Sequence, residues 1–327
     1  PFKVRYQMGT SHVDVSSPFA QNEFHSTRFK ETVEVQGGTH LGDLSVLTRH
    51  EGRDDAQHEK IQEVTRFVAS LKHPVYGSEL TVGDKELDWS PLTLPRVQTQ
   101  GVYWKQAPDE RVSYEAFTGV KGQGIYGDEI IDPAPPTPRM TGARVSVRPF
   151  SDLSLTTTYL YAENAEEAQI SKDLLAAAGD LKLGPARISG EVAQGNHDLA
   201  WQTSVNASPL DWWQVRGTVR DTDANFRTAS GGSSYRGQRG LVLGTSMQPA
   251  SWWSLTADEE LYRNRVGRNE AEPDQLNQTT RVSSTMKLPG RAQLTGGYVG
   301  YDLAGSSSPT LTQNADLTFT VPWRFFG

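Results

Sequence analysis

Few residues of this chain have the types and spacing that catalysis or metal binding requires. The seven histidines form no HExxH pair, and neither a Gly-x-Ser-x-Gly turn nor a phosphate-binding loop is present. The acidic segments match no calcium loop of the EF-hand type. His197 and Asp198 are adjacent, as a barrel hydrolase could use near its rim, but such a dipeptide is more often incidental. The sequence therefore predicts a protein that is not an enzyme, with no catalytic residue, metal ligand or cofactor.

Charged side chains instead alternate with apolar ones along several segments. The charges that we expect to share one face are Arg144, Arg148, Arg216, Arg220, Asp258, Glu260, Arg281 and Lys287. In a dry core each would cost several kcal/mol unless paired, whereas a water-filled interior accommodates them easily. Cations outnumber acids in this set, which hints at a weak preference for anions. The plainer alternative is that the charges pair across strands and only keep the interior wet.

The elements that carry these charges are predicted to be β-strands. Near the C-terminus Leu317, Phe319 and Val321 alternate with polar residues, and a period of two is the pattern of a strand with one apolar face. Short turns, most of them containing Pro, recur between such segments, and every second connection is longer or strongly polar. This pattern predicts about 18 strands. A count of 16 is the alternative, chiefly because Ser171–Leu181, rich in Ala and Leu, could be helical.

The C-terminal strand, which ends on aromatic residues, is similar to the last strand of Gram-negative outer-membrane β-barrels. The resemblance is to the broad porin-like or export-channel class. It implies an all-β fold, a single closed antiparallel transmembrane β-barrel over residues 1–327 with short periplasmic turns and long extracellular loops. The alternatives are a soluble β-sandwich, a solenoid or a propeller. A propeller would repeat in groups of four strands, and a sandwich rarely separates short from long loops by side.

Composition agrees with such a barrel and excludes other classes. The chain has 327 residues and no cysteine, so disulfides and thiolate chemistry are excluded. Its mean hydropathy is -0.55, as expected when only every second strand residue faces lipid. No apolar run approaches the ~18 residues that a spanning helix needs. The net charge of -7 argues against nucleic acid as a partner.

Two further groups of residues have predicted roles in a barrel. An aromatic girdle at the short-turn ends of strands would lie in the lipid headgroup layer, although Trp is also common in ordinary strands. Its members are Trp212, Trp213, Trp252, Trp253, Trp323 and Phe325. The Gly- and Pro-rich stretch Lys121–Met140 could fold inward and narrow a pore, or remain a surface loop. The residues singled out there are Tyr126, Asp128, Glu129 and Asp132.

The resemblance implies an aqueous channel in the bacterial outer membrane, with both termini periplasmic and lipid and lipopolysaccharide in contact with the wall. We predict the outer-membrane component of a larger transport, export or anchoring complex, with periplasmic or other envelope proteins as partners. The alternatives are a free-standing diffusion porin for small solutes and a surface-exposed structural or adhesin barrel. The start at Pro1, without an initiator Met or a signal peptide, predicts a processed chain or a fragment. A signal peptide, and room for a periplasmic domain, would then lie upstream.

Overall fold

The computed structural model describes residues 2–15, 24–55, 58–121, 138–165, 170–229, 237–264, 275–289, 292–304 and 310–321. These residues form 18 β-strands in one antiparallel sheet, so the predicted all-β fold and strand number are confirmed. The strands are β1 (Phe2–Val15), β2 (Phe24–Thr39), β3 (Gly42–Asp55), β4 (His58–His73), β5 (Ser78–Leu87), β6 (Val97–Gln106), β7 (Val112–Lys121), β8 (Arg139–Phe150), β9 (Leu153–Ala162), β10 (Asp173–Leu183), β11 (Ala186–Gly195), β12 (Asp198–Leu210), β13 (Trp213–Thr222), β14 (Gln238–Ala250), β15 (Trp253–Asn264), β16 (Gln275–Lys287), β17 (Gln293–Ala304) and β18 (Thr310–Thr320). Among the described residues, no helix is both long and apolar enough to cross a membrane.

The strands follow one another as antiparallel hairpins within two compact units. The first unit holds Pro1–Ser90, Leu94–Ser146 and Leu160–Ala168, and each strand from β1 to β7 pairs with the next. The second holds Pro91–Thr93, Val147–Tyr159 and Gln169–Gly327, and the same pairing runs from β10 to β18. Such a meander keeps every second residue of each strand on the same face of the sheet, because each register fixes which residues lie opposite each other.

The two faces of the sheet differ as the period-two pattern predicts. On β13, Val215 and Val219 share a face with Leu243 of β14 and Leu255 of β15. We call this the apolar face. Val219 is 43% exposed and Leu243 46%, so the apolar face is open to the surroundings. The opposite face, which we call the polar face, carries the charged residues of the same strands.

The segment for which a helix was the alternative forms strand β10. Leu174 and Ala176 are buried on the polar face, whereas Leu175, between them, is 54% exposed on the apolar face. Continuous pairing with β11, from Leu174 opposite Gly195 to Leu183 opposite Ala186, overrides the helix propensity of Ala and Leu.

Connection lengths differ between the two ends of the strands. Two-residue turns at 151–152, 184–185, 211–212 and 251–252 join β8 to β9, β10 to β11, β12 to β13 and β14 to β15. At the other end lie the long connections, residues 88–96 and 223–237 among them. One tight turn also occurs there, at Asn196 and His197, with positive φ values of 51° and 79° as a two-residue hairpin requires. His197, which the sequence places beside Asp198 in a candidate rim site, is thus a turn residue.

Candidate functional site: a charged sheet face and two buried loops

Two ion pairs connect β13 to β15 on the polar face, although β14 lies between these strands. Arg216 Nη2 contacts Asp258 Oδ1, and Arg220 Nη2 lies 2.9 Å from Glu260 Oε1. The register places Gly244 of β14 opposite both Arg216 and Asp258. Gly244 leaves the space that the ion pair fills, since a Cβ there would lie 2.6 Å from Asp258 Oδ1. Four of the predicted charges therefore come together as two ion pairs.

The other four predicted charges are cations that make no ion pair within the described part of the chain. Arg144 and Arg148 both lie on the polar face of β8, separated by two periods of the strand alternation. Arg281 and Lys287 lie on the polar face of β16, and Arg281 is directly opposite Asp258 of β15. The eight residues thus divide into neutral pairs and isolated cations.

A second charged network, on the polar face of β4 to β7, was missed by the sequence reasoning. The register places Lys72 opposite Glu79, Glu79 opposite Lys105, and Lys105 opposite Glu115. Lys72 Nζ lies 3.7 Å from Glu79 Oε2, and Lys105 Nζ lies 3.3 Å from Glu115 Oε1. The signs alternate from strand to strand, so this row is balanced. Counting residues outward from the short turns at 74–77 and 107–111 would have found it.

Lys85 joins the same network from β5. Its Nζ lies 3.4 Å from Glu79 Oε1 and 3.5 Å from the ring centroid of Tyr103. The carboxylate and the aromatic face both attract the ammonium group, so together they hold it in one position. Side-chain contacts therefore connect neighbouring strands across the polar face of the first unit.

In the first unit, the connection between β5 and β6 is buried. Trp89 is 8% exposed and Leu94 0%, and the Trp89 backbone N–H donates to the Leu94 carbonyl at 3.0 Å. The Trp89 ring meets Phe117 of β7 edge to face, with centroids 5.1 Å apart. Gly142 of β8 makes room for this packing, since a Cβ there would lie 2.6 Å from the Phe117 ring. The loop therefore covers part of the polar face with apolar side chains.

In the second unit, part of the β13–β14 connection is also buried. We call residues 223–229 the strap; Phe226 and Thr228 within it are 0% exposed. Ser171 Oγ donates to the carbonyl of Arg227, and Arg227 O would lie 3.6 Å from a Cβ at Gly195. On the same face of β10 to β12, Ala176, Ala193 and Ala200 lie opposite one another and are buried.

Hydrogen bonds hold the strap at both of its ends. The Leu199 backbone N–H donates to the Asp223 carboxylate at 2.8 Å. The Ala229 N–H donates to the carbonyl of Thr93, a buried residue of the β5–β6 connection that belongs to the same unit, at 3.1 Å. Hydrogen bonds therefore fix the strap to the rest of this unit, next to Gly195.

Two Trp pairs repeat the same geometry at the tight-turn ends of β13 and β15. The rings of Trp212 and Trp213 stack with centroids 6.4 Å apart, as do those of Trp252 and Trp253. The indole N–H groups of Trp213 and Trp253 donate to hydroxyls of the next strand at 2.8 and 3.1 Å. Trp212 and Trp252 are 42% and 52% exposed. Each pair combines an exposed apolar ring with a satisfied polar edge, as a headgroup layer favours.

The remaining predicted residues lie outside the described ranges. These are Trp323 and Phe325 of the girdle, and Tyr126, Asp128, Glu129 and Asp132 of the Lys121–Met140 stretch. Within the described ranges, no group of three or more His, Asp or Glu is arranged to hold a metal ion. The polar face offers ion pairs and isolated cations, groups that bind water and small ions reversibly.

Comparisons with known proteins identify the fold. No family model and no curated protein matches the sequence. Three solved structures from Pseudomonas aeruginosa are similar: OccK3 (OpdO), 11% identical with a TM-score of 0.57 over 97% of this chain and 92% of that one; OpdQ, 10% identical with a TM-score of 0.56 over 98% and 96%; and OccK2 (OpdF), solved in complex with glucuronate, 10% identical with a TM-score of 0.52 over 97% and 96%. At this identity the likeness establishes the fold alone. That fold, 18 antiparallel strands in one sheet, is the fold of outer-membrane β-barrel porins, so the resemblance found in the sequence is confirmed.

Proposed function

We propose that the chain forms a water-filled channel in a bacterial outer membrane and passes small hydrophilic solutes. The observation that carries the proposal is a charged polar face behind an exposed apolar face. The side chains of Arg216 and Asp258 are 64% and 30% exposed, so their charges are within reach of water. In a porin fold the apolar face meets lipid and the opposite face lines the lumen. Hydrated charges along a lumen keep it wet and open to polar solutes.

Each of the two buried loops would narrow the lumen beside its own unit. The loop with Trp89 and Leu94 covers part of the polar face of the first unit, and the strap covers part of that of the second. Residues packed on a lumen wall reduce the free cross-section and thereby limit solute size. The Lys121–Met140 stretch remains a further candidate for this role.

The turns and the aromatic residues support one membrane orientation. In this class of barrels the short turns face the periplasm, so an even strand number favours a periplasmic position for both termini. The Trp212–Trp213 and Trp252–Trp253 pairs, at the tight-turn ends, would then lie in the inner headgroup layer. Lipid and lipopolysaccharide are the partners of the apolar face.

The interpretation as part of a larger export or anchoring complex remains a prediction. It depends on envelope proteins and on a domain upstream of Pro1, and no contact of the described residues favours it over a free-standing porin. An adhesin role would depend on the long loops, whose acidic residues lie largely outside the described ranges.

Conductance of the purified chain in a planar lipid bilayer tests the proposal. We expect stepwise insertion of open channels with ohmic current in KCl. Removal of strap residues 224–228, closed by a short Gly-Ser linker, should raise the single-channel conductance, because the constriction is lost. A chain that inserts into the bilayer, as judged by protease protection, but carries no current would contradict the proposed channel.

A further inference from the structure

Arg281 and Asp258 are directly opposite each other on the polar face and yet form no ion pair. They are partners in the register of β15 and β16, where side chains of one face lie about 4.5–5.5 Å apart at Cβ. Opposite charges in such positions normally pair. Arg281 is exposed and makes no ion pair with any described residue.

The reason lies on the other side of Asp258. Its carboxylate is turned across β14 to Arg216, where Nη2 and Oδ1 are in contact. Only a glycine at position 244 permits this, since a Cβ there would lie 2.6 Å from Asp258 Oδ1 and 2.8 Å from Arg216 Cγ. Arg216 and Arg281 thus compete for one carboxylate, and Arg216 holds it.

A second arginine of β13, further along the polar face, is also paired. Arg220 is paired with Glu260, so its charge is balanced as well. On β13 to β16, therefore, both arginines of β13 are neutralised, while the cations of β16 are not. The charges on this face are therefore unevenly balanced. An unpaired cation attracts counter-ions far more than a paired one does.

We propose that Arg281, one of the unpaired cations of the polar face, contributes to a preference of the channel for small anions, and that Arg216 is a positioning residue that keeps Arg281 available by drawing Asp258 away. The inference rests on the proposed channel and names the solute class of the same site. The Arg281 side chain is exposed, so its guanidinium can donate to a small anion that it attracts. Carboxylates, phosphates and halide ions all meet this requirement.

Reversal potentials across a KCl gradient test the inference, with the full chain reconstituted in a planar bilayer. Three variants separate the roles: Arg281→Gln removes the unpaired charge, Arg281→Lys keeps it, and Arg216→Gln with Asp258→Asn removes a paired couple without changing the net charge. We expect the chloride-over-potassium permeability ratio to exceed one in the native chain and in the last two variants. It should fall at least about twofold in Arg281→Gln, because local charge sets ion occupancy.

A fourth variant tests the positioning role. Arg216→Gln alone leaves Asp258 without its partner, so the carboxylate is expected to turn to Arg281 and to lower the permeability ratio as Arg281→Gln does. Adding Asp258→Asn to that variant should restore the native ratio.

Each outcome decides the inference. A conducting native chain that prefers cations, or an Arg281→Gln variant with native selectivity, would overturn it while leaving the proposed channel intact. Equal losses in Arg281→Gln and in the Arg216→Gln, Asp258→Asn double variant would also overturn it, since the paired charges would then matter as much. A native chain without current would refute the channel and the inference together.

Discussion

Arg216 and Asp258 form an ion pair across an entire strand, because the strand between them has a glycine at the point of crossing. The pair is therefore a property of three strands, β13, β14 and β15, and not of two charged residues alone. An ion pair of this kind connects two strands that are not adjacent, and it determines which carboxylate pairs with which cation.

Replacing Gly244 with Val should weaken the fold. The new Cβ would overlap Arg216 Nε and Asp258 Oδ1, so the ion pair must open and its groups must move. Forcing a side chain into an occupied space typically costs about 1–3 kcal/mol. We expect a lower urea midpoint for loss of the folded, heat-modifiable band on gels. Gly190→Val is the matched control, since its nearest neighbour would be Thr203 Oγ1 at 3.6 Å, and an equal loss there would contradict the account.

Replacing Gly195 with Val should displace the strap. A Cβ at this position would lie 2.5 Å from Ser171 Oγ, the group that donates to the Arg227 carbonyl. With that hydrogen bond lost, the strap should become accessible to protease between residues 223 and 229, and the conductance should rise. Val192→Leu, on the exposed apolar face of the same strand, should leave both unchanged. A protease-resistant strap in Gly195→Val would show that its position does not depend on Ser171.

Removing the amide partner of Glu259 should destabilise the protein. Glu259 lies on the apolar face of β15, where Gln278 Nε2 donates to it at 2.6 Å and the Thr280 hydroxyl also donates. Gln278→Leu leaves this carboxylate poorly satisfied, and we expect a loss of about 1–3 kcal/mol in the free energy of unfolding. The double variant Glu259→Leu, Gln278→Leu should recover most of that loss, because no polar group is then left without a partner. Additive losses in the double variant would contradict this explanation.

The indole hydrogen bond of Trp253 should contribute measurably to stability. Trp253→Phe removes the donor to Ser284 while it keeps an aromatic ring, so we expect a loss of about 1 kcal/mol. Trp252→Phe is the control, since the described residues include no side-chain hydrogen-bond partner of Trp252. Equilibrium unfolding in lipid vesicles, followed by the remaining Trp fluorescence, measures both. Equal losses in the two variants would assign the effect to ring size.

The strands could be predicted from the sequence because their evidence is local. Alternation along Leu317 to Val321 and the turns at Pro209 and Pro249 mark strands and their ends without knowledge of any partner. The helical alternative for Ser171–Leu181 arose for the same reason, since local propensity favours a helix there. Only the pairing of β10 with β11 decides that segment in favour of a strand.

The site could be predicted only in part, because its pairing is not local. The period-two alternation predicted that Arg216, Asp258 and Arg281 share one face. It did not predict with which of the two arginines Asp258 pairs. The pairing of Asp258 with Arg216 depends on Gly244, and a glycine in a strand carries no side chain from which such a role could be predicted. The buried strap was missed because it opens a connection that continues into a Ser- and Gly-rich stretch typical of exposed loops, and because its hydrogen bonds reach residues far away in the sequence, such as Ser171 and Thr93.

The resemblance to outer-membrane barrels predicts that β1 and β18 pair and thereby close the sheet into a barrel. The chain lacks cysteine, so pairs can be introduced without background: Tyr6→Cys in β1 combined in turn with Ala315→Cys, Leu317→Cys and Phe319→Cys in β18. Val4→Cys with Val35→Cys, which are opposite in β1 and β2, is the positive control, and Tyr6→Cys with Leu243→Cys of β14 is the negative one. We predict an intramolecular disulfide in membranes for at least one β1–β18 pair. Cross-linking of the positive control with none of the β1–β18 pairs would contradict the closed barrel.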